Sequence, residues 1–205
     1  MNKIAQSALA QIKPAVMLLI LLTGLTGGFY PFVVTVVAQI FLPDQANGSL
    51  MTQNGVTIGS KLIGQSFTSP SYFWGRPSAT MPFSYNSAAS SASHYGPSNL
   101  VYLEQLKQRA ILLQQASPTQ HELMPVDLLT ASASGLDPEI SPFAAFYQVS
   151  RIARARGLSE VALNALIQRQ IVPRTFGLLG EPRVNVLKLN LALDNLRISH
   201  GSSKA

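Results

Sequence analysis

Hydrophobic and polar positions divide this chain into one unbroken apolar run and a longer stretch in which apolar residues come in short periodic sets. The run lies between Pro14 and Pro43, where no charged side chain occurs and most positions are Leu, Ile, Val, Ala, Phe or Thr. About 20 apolar residues in a helix cross the hydrocarbon core of a bilayer. For a lone span, only a helix satisfies its own backbone groups there. Residues 14–42 are therefore expected to form a transmembrane helix, and the sequence holds no second run of this kind.

Behind the run, the pattern predicts short elements of both kinds. Asn47-Gly48 is a turn signal. Residues 56–59 and 62–67 read as two short strands broken by glycine. Residues 79–99 are rich in Ser, Ala, Asn, Gly and Pro and show no period, so they read as a loop longer than the usual connection. Such a length suits a surface lying on a partner. Leu100, Leu103, Leu106, Ala110 and Leu113 recur at helical spacing behind Ser98 or Asn99 as cap. Residues 125–130 read as a strand. Ser141-Pro142 opens a helix that Gly157 stops, and Ser159 opens another that ends near Gln170. Residues 184–189 read as the clearest strand, and 190–196 as helix. The fold class expected is a single N-terminal transmembrane helix plus a soluble α+β (mixed) domain. Its parts are a tail at 1–13, the span at 14–42, the domain at 43–196 and a flexible tail at 197–205.

Charge decides the orientation. Lys3, Lys13 and the amino terminus precede the span with no acidic residue among them, whereas the first cation after it is Lys61. Basic residues near span ends stay cytoplasmic, so the tail is expected inside a bacterial inner membrane and the domain in the periplasm. A cleaved signal peptide, with Val36-Val37-Ala38 as cleavage site, is the competing reading. Signal h-regions are only about 7–15 residues long, and the run is about twice that, which favours a retained anchor. Within the span, Gly24 and Gly28 share one helix face, where another backbone can come close. Pro31 has no N–H for the carbonyl of Gly27, which predicts a kink or a carbonyl served by Thr35, water or a neighbouring helix. Gly24, Gly28, Pro31 and Thr35 are thus expected to form a packing face, beside the plainer reading that Gly and Pro are simply common in membrane helices.

Composition narrows the chemistry. Fifteen basic and nine acidic residues give a net charge of +6, but the cations are dispersed, which argues against nucleic acid. The absence of cysteine removes disulfides and thiolate metal sites. Charged residues at 12% suit a subunit embedded in an assembly. His94, His121 and His200 show no metal-ligand spacing. Ser132 and Ser134 lack a G-x-S-x-G elbow, with His121 the one histidine near them in sequence. Gly59-Ser60-Lys61 lacks the order of a phosphate loop. The aromatic stretch Tyr72-Phe73-Trp74-Gly75-Arg76-Pro77-Ser78 has two readings: a binding platform with the Arg76 fork facing a partner, or core rings with Arg76 tying down a loop. Arg151, Arg154 and Arg156 likewise read as a solvated, dipole-stabilising face or as a polyanion site.

Five stretches carry a resemblance. They are Gln45-Ala46-Asn47-Gly48-Ser49-Leu50, Leu62-Ile63-Gly64-Gln65-Ser66-Phe67, Tyr72-Phe73-x-Gly75-Arg76-Pro77-Ser78-Ala79-Thr80, residues 130–137, and Val184-Asn185 followed by residues 189–194. In this order and spacing the chain resembles the KdpC family of the bacterial Kdp-type potassium-transporting ATPase, from the anchor to about Asp194. The resemblance implies a non-catalytic accessory subunit of a high-affinity ATP-driven potassium importer, needed for assembly and described as a catalytic chaperone that raises the pump subunit's affinity for ATP. Implied partners are a potassium-channel-like subunit, an ATP-hydrolysing P-type subunit, a small single-span subunit and membrane lipid. ATP and potassium are then handled by the complex, and the chain carries no cofactor of its own. The partner-contact candidates are Gln65, Tyr72, Phe73, Arg76, Ser134, Asp137, Gln148, Arg151 and Asn185. A domain outside the membrane cannot share a nucleotide with a cytoplasmic site, so an effect on ATP affinity is expected to act as a coupling free energy through the complex. The alternative class is an independent membrane-anchored periplasmic binding protein or hydrolase.

Overall fold

In the computed structural model the described residues are 3–118, 120 and 122–201. His121 and the last residues of the expected tail, 202–205, lie outside them. The chain divides into two compact units, Met1–Ser49 and Leu50–Ala205.

The first unit is helical: α1 (Lys3–Gly24), a π-helical turn (Leu25–Phe29), α2 (Tyr30–Phe41) and the single turn α3 (Pro43–Ala46). Helix α1 begins at Lys3, so Pro14 lies inside it and the helix starts before the expected span. The apolar span is Ala10–Phe41, 32 residues, or about 48 Å of helix against a hydrocarbon core of about 30 Å. Pro31 does not end the helix. Its ring crowds the carbonyl four residues back, and the chain responds by widening into π geometry, with the Tyr30 N–H donating to the Leu25 carbonyl. The hydroxyl that bonds back to the helix in this region is that of Thr26, at 2.7 Å from the Leu22 carbonyl. Among the described residues Thr35 does not take that role. The Asn47-Gly48 signal marks a true left-handed turn, with φ of 83° at Gly48 and 49° at Ser49.

The second unit starts with an antiparallel hairpin, β1 (Leu50–Gln53) and β2 (Val56–Ser60). Its turn is Asn54-Gly55, both at positive φ, the I′ geometry that fits strand twist. Residues 62–67, expected as a strand, hold only an isolated bridge from Ser60 to Ile63. Helix α4 (Leu100–Ala116) is capped by Asn99, whose side chain accepts from the Val101 and Tyr102 N–H groups. Its inward face runs through Tyr102, Leu106, Arg109, Ala110 and Leu113, while Leu100 and Leu103 face outward. Residues 126–129, expected as a strand, form the helical turn α5 (Val126–Leu129); an apolar run of four fits either geometry.

A three-stranded antiparallel sheet has β5 (Arg183–Asn185) at its centre, between β3 (Glu139–Ile140) and β4 (Ile171–Val172). Between β3 and β4 run α6 (Pro142–Tyr147), α7 (Val149–Arg156) and α8 (Glu160–Gln170). The caps expected at Ser141, Gly157 and Ser159 are in place, with Gly157 left-handed at φ 66°. The expected strand at 184–189 stops at Asn185, whose side chain accepts the Lys188 N–H and starts helix α9 (Val186–Gly201). Buried Val186, Leu189, Asn190 and Leu193 have helical spacing, which overrides the alternation of Val-Leu-Lys-Leu. Helix α9 also covers 197–201, where a flexible tail was expected. Helix α8 packs between α7 and α9, and the core gathers Phe73, Ile152, Leu163, Ile167, Leu189 and Leu193.

Candidate functional site

Residues 73–80 belong to no helix or strand, so their backbone groups need other partners. Two primary amides supply them for the first pair. Asn190 on α9 accepts the Phe73 N–H at 2.8 Å and donates to the Phe73 carbonyl at 3.0 Å. Gln148, at the joint between α6 and α7, brackets Trp74 in the same way at 2.8 and 3.1 Å. A carboxamide offers a donor and an acceptor side by side, as a facing peptide group would. Phe73 is thereby held in the core at 0% exposure.

Two arginines of α7 complete this cluster. The Arg151 guanidinium lies 4.1 Å from the Trp74 ring centroid, donates to the Pro70 carbonyl and reaches Gln148 Oε1 at 2.6 Å. Burial lowers its pKa to about 10. Arg156 lies 4.5 Å from the Tyr72 ring, donates to the Ser71 carbonyl at 2.6 Å and pairs with Asp194 at 2.8 Å. The Tyr72 hydroxyl donates to the same carboxylate at 3.1 Å. Arg151 and Arg156 therefore point inward and clamp residues 70–74. This replaces both the solvated-face and the polyanion reading of the basic cluster, leaving only Arg154 on the exposed face.

A second cluster ties the 79–99 loop to residues 131–137. Arg76 donates from Nη1 to Asp137 at 3.1 Å and from Nη2 to the Ala131 carbonyl at 3.4 Å, while its buried Nε has no partner among the described residues. The Tyr85 hydroxyl donates to the Arg76 carbonyl. Burial first, and the Asp137 charge second, push the Tyr85 pKa up to about 12. Ser78 Oγ donates to the Gly135 carbonyl at 2.7 Å and accepts the Tyr85 N–H at 2.9 Å. Gly135 sits at φ +68°, where a Cβ would stand 2.6 Å from the Ser91 carbonyl oxygen. The loop is thus ordered by side-chain-to-backbone bonds rather than by a regular element.

Between the two clusters and α4 lies a cleft of about 370 Å³. Phe67, Trp74, Leu112 and Leu128 give it apolar walls, and Arg76, Arg109 and Tyr85 bring its polar groups. Arg109 donates to the Leu129 carbonyl at 2.7 Å, and burial lowers its pKa.

The residues predicted as contacts fall in three places. Tyr72, Phe73, Gln148 and Arg151 meet in the first cluster, and Arg76, Ser134 and Asp137 in the second. Gln65 and Asn185 stand beside the end of β2, bonding the Ile58 carbonyl at 2.6 Å and the Lys61 carbonyl at 2.9 Å. Phe73, Gln148, Arg151 and Asn185 are buried. For Tyr72–Arg76, the reading of core ring plus tied loop describes Phe73 and Arg76. Gly24, Gly28, Pro31 and Thr35 lie in the helical unit, all exposed, with open space beside both glycines. Sequence reasoning missed Asn190, Asp194, Tyr85 and Arg109. An asparagine inside the apolar run of α9 was the available signal for the first, since a buried amide needs partners.

Ser132 and Ser134 each use their hydroxyl to accept a backbone N–H, from Gly135 at 2.9 Å and Leu136 at 3.1 Å. Among the described residues no group of three His, Asp or Glu side chains is placed to hold a metal. The arrangement builds a surface ordered by side-chain-to-backbone bonds, with an amphiphilic cleft beside it. Comparison with known proteins adds the biological context. Residues 12–195 match the family described as "KdpC: K+-transporting ATPase, c chain". The chain is 55% identical to the "Potassium-transporting ATPase KdpC subunit" of Methylococcus capsulatus over 185 residues, covering 90% of this chain and 97% of that one. It is 54% identical over 189 residues to the protein of the same name in Burkholderia orbicola, covering 92% and 98%. The corresponding protein of Herpetosiphon aurantiacus is 55% identical over 185 residues, covering 90% and 96%.

Proposed function

The chain belongs to the KdpC family of K+-transporting ATPases, and from that membership we propose that it is the non-catalytic accessory subunit of such a pump. It is anchored by the helix Ala10–Phe41, with its N-terminus in the cytoplasm and its domain in the periplasm. It holds a channel-like subunit through that helix and through the outer domain. The assembly also contains the ATP-hydrolysing P-type subunit and a small single-span one.

The observation that carries this reading is the unburied apolar span with its smooth strip at Gly24 and Gly28. A span that packs on protein rather than lipid gains from close backbone approach at small residues. The soluble domain supports it with an apolar tip, Phe176 and Leu178, exposed at 89% and 80%. The tip is braced at its base by the ion pair of Arg174 with Glu181, 2.6 Å. Exposed apolar clusters of this kind favour contact with a partner.

Any rise in the pump's ATP affinity is transmitted through these contacts, as a coupling free energy of about 1–3 kcal/mol, or roughly 5- to 150-fold. Replacing Gly24 or Gly28 by Leu is expected to weaken co-purification of the complex. Intact complexes from both variants would remove the helix from the interface. Nucleotide titration of the purified full chain tests the indirect mode, and micromolar saturable ATP binding would overturn it.

A further inference from the structure

The cleft beside α4 has an unbalanced charge. Arg76 has Asp137 as its carboxylate, yet its buried Nε has no partner among the described residues. Arg109 has only a carbonyl oxygen, that of Leu129, and among the described residues no carboxylate pairs with it. Two guanidiniums thus border one cavity with a single counter-ion between them. The rest of the lining is predominantly apolar and includes Trp74, Phe67 and Leu112. Its volume of about 370 Å³ is at the small end of ligand pockets, which run from about 300 to 1,000 Å³.

We propose that this cleft binds a small amphiphilic carboxylate, with the carboxylate taken by the guanidiniums of Arg76 and Arg109 and the apolar body laid against Trp74 and Phe67. A planar guanidinium is suited to a carboxylate oxygen, and such charge-assisted bonds are the strong ones. An inorganic anion satisfies the charge but leaves the aromatic wall wet. A neutral apolar molecule covers the wall but leaves Arg109 without its counter-ion. Only a ligand with both parts answers the whole lining. The lining shares no residue with the helix face at Gly24 and Gly28 or with the tip at Phe176 and Leu178.

Trp74 is the chain's one tryptophan and lines the cleft, so its emission reports on the site directly. The purified full chain in a neutral maltoside detergent is titrated with 3-phenylpropanoate, with its uncharged amide, and with inorganic phosphate. The acid is expected to change Trp74 emission saturably and to bind at least tenfold more tightly than the amide. Partition into the micelle would favour the amide, so it cannot imitate this result. Phosphate alone is expected to leave the emission unchanged. Arg109→Gln should raise the Kd at least tenfold. Because Arg109 also holds the Leu129 carbonyl, Leu112→Glu serves as a second variant at a residue 60% exposed on the rim. It should raise the Kd by a similar factor with the fold intact. Equal binding of acid and amide, an equal response to phosphate alone, or unchanged affinity in Leu112→Glu would each overturn the proposal.

Discussion

Replacing Asn190 by Ala removes both hydrogen bonds that bracket Phe73, at 2.8 and 3.0 Å, from a site where Phe73 is 0% and Asn190 2% exposed. The N–H and C=O of Phe73 would then be buried with no other partner. Each unsatisfied buried backbone group costs about 1–3 kcal/mol, so the pair costs about 2–6 kcal/mol before the small cavity is counted. A loss of about 4 kcal/mol is expected, a large part of the 5–15 kcal/mol that stabilises an ordinary domain. With a urea slope of about 2 kcal/mol per molar, the midpoint should fall by about 2 M. Unfolding of the full chain in detergent, followed by Trp74 emission, reads this directly. The control is Asn99→Ala, an exposed cap of α4 that accepts two N–H bonds and should cost only about 1 kcal/mol. If Asn190→Ala costs no more than Asn99→Ala, water or a shifted backbone has replaced the amide. The carboxamides would then not be what organises residues 73–74.

Other expectations follow from the second cluster. Gly135→Ala places a Cβ at φ +68° within 2.6 Å of the Ser91 carbonyl and should cost at least about 2 kcal/mol. Gly96→Ala, with open space around it, should be near neutral, and equal urea midpoints would refute the close approach. The folded pKa of Tyr85, about 12, lies above the ordinary 10.0, so the unfolded chain loses this proton first. The stability its hydroxyl contributes is complete below pH 10 and is lost as pH rises through 12. Burial also raises the pKa of Tyr147, so absorbance at 295 nm should show late phenolate titration of which Tyr85→Phe removes the part near pH 12; an unchanged titration would contradict the burial argument.

The parts of the fold that can be read from sequence are those with local causes. Asn99, Ser141, Gly157 and Ser159 act within a few residues of themselves, and each cap sits where the pattern places it. The errors come where distant residues decide. Residues 184–189 alternate like a strand, but Asn185 starts a helix whose buried positions depend on α8 and the sheet beside it. Leu100 and Leu103 fit an inward stripe with Leu106, yet the packing of α4 keeps Leu106 and turns Tyr102 and Arg109 inward in place of the other two. Pro31 announces a disturbance, while its form, a π turn, depends on where the displaced carbonyl bonds. The contact candidates in the domain come from family motifs. Their geometry is not legible, because the bonds of Asn190 to Phe73 and of Arg156 to Ser71 span 117 and 85 positions. No local pattern encodes pairs so far apart.

The proposed function puts this domain outside the membrane, acting on machinery whose chemistry is inside. With no native cysteine in the chain, Val161→Cys, at a position 78% exposed on α8, gives a single reporter thiol. In intact cells carrying the whole complex, a membrane-impermeant maleimide is expected to label it as fully as it does after lysis. Labelling that appears only after lysis would put the domain in the cytoplasm and contradict both its location and its indirect action.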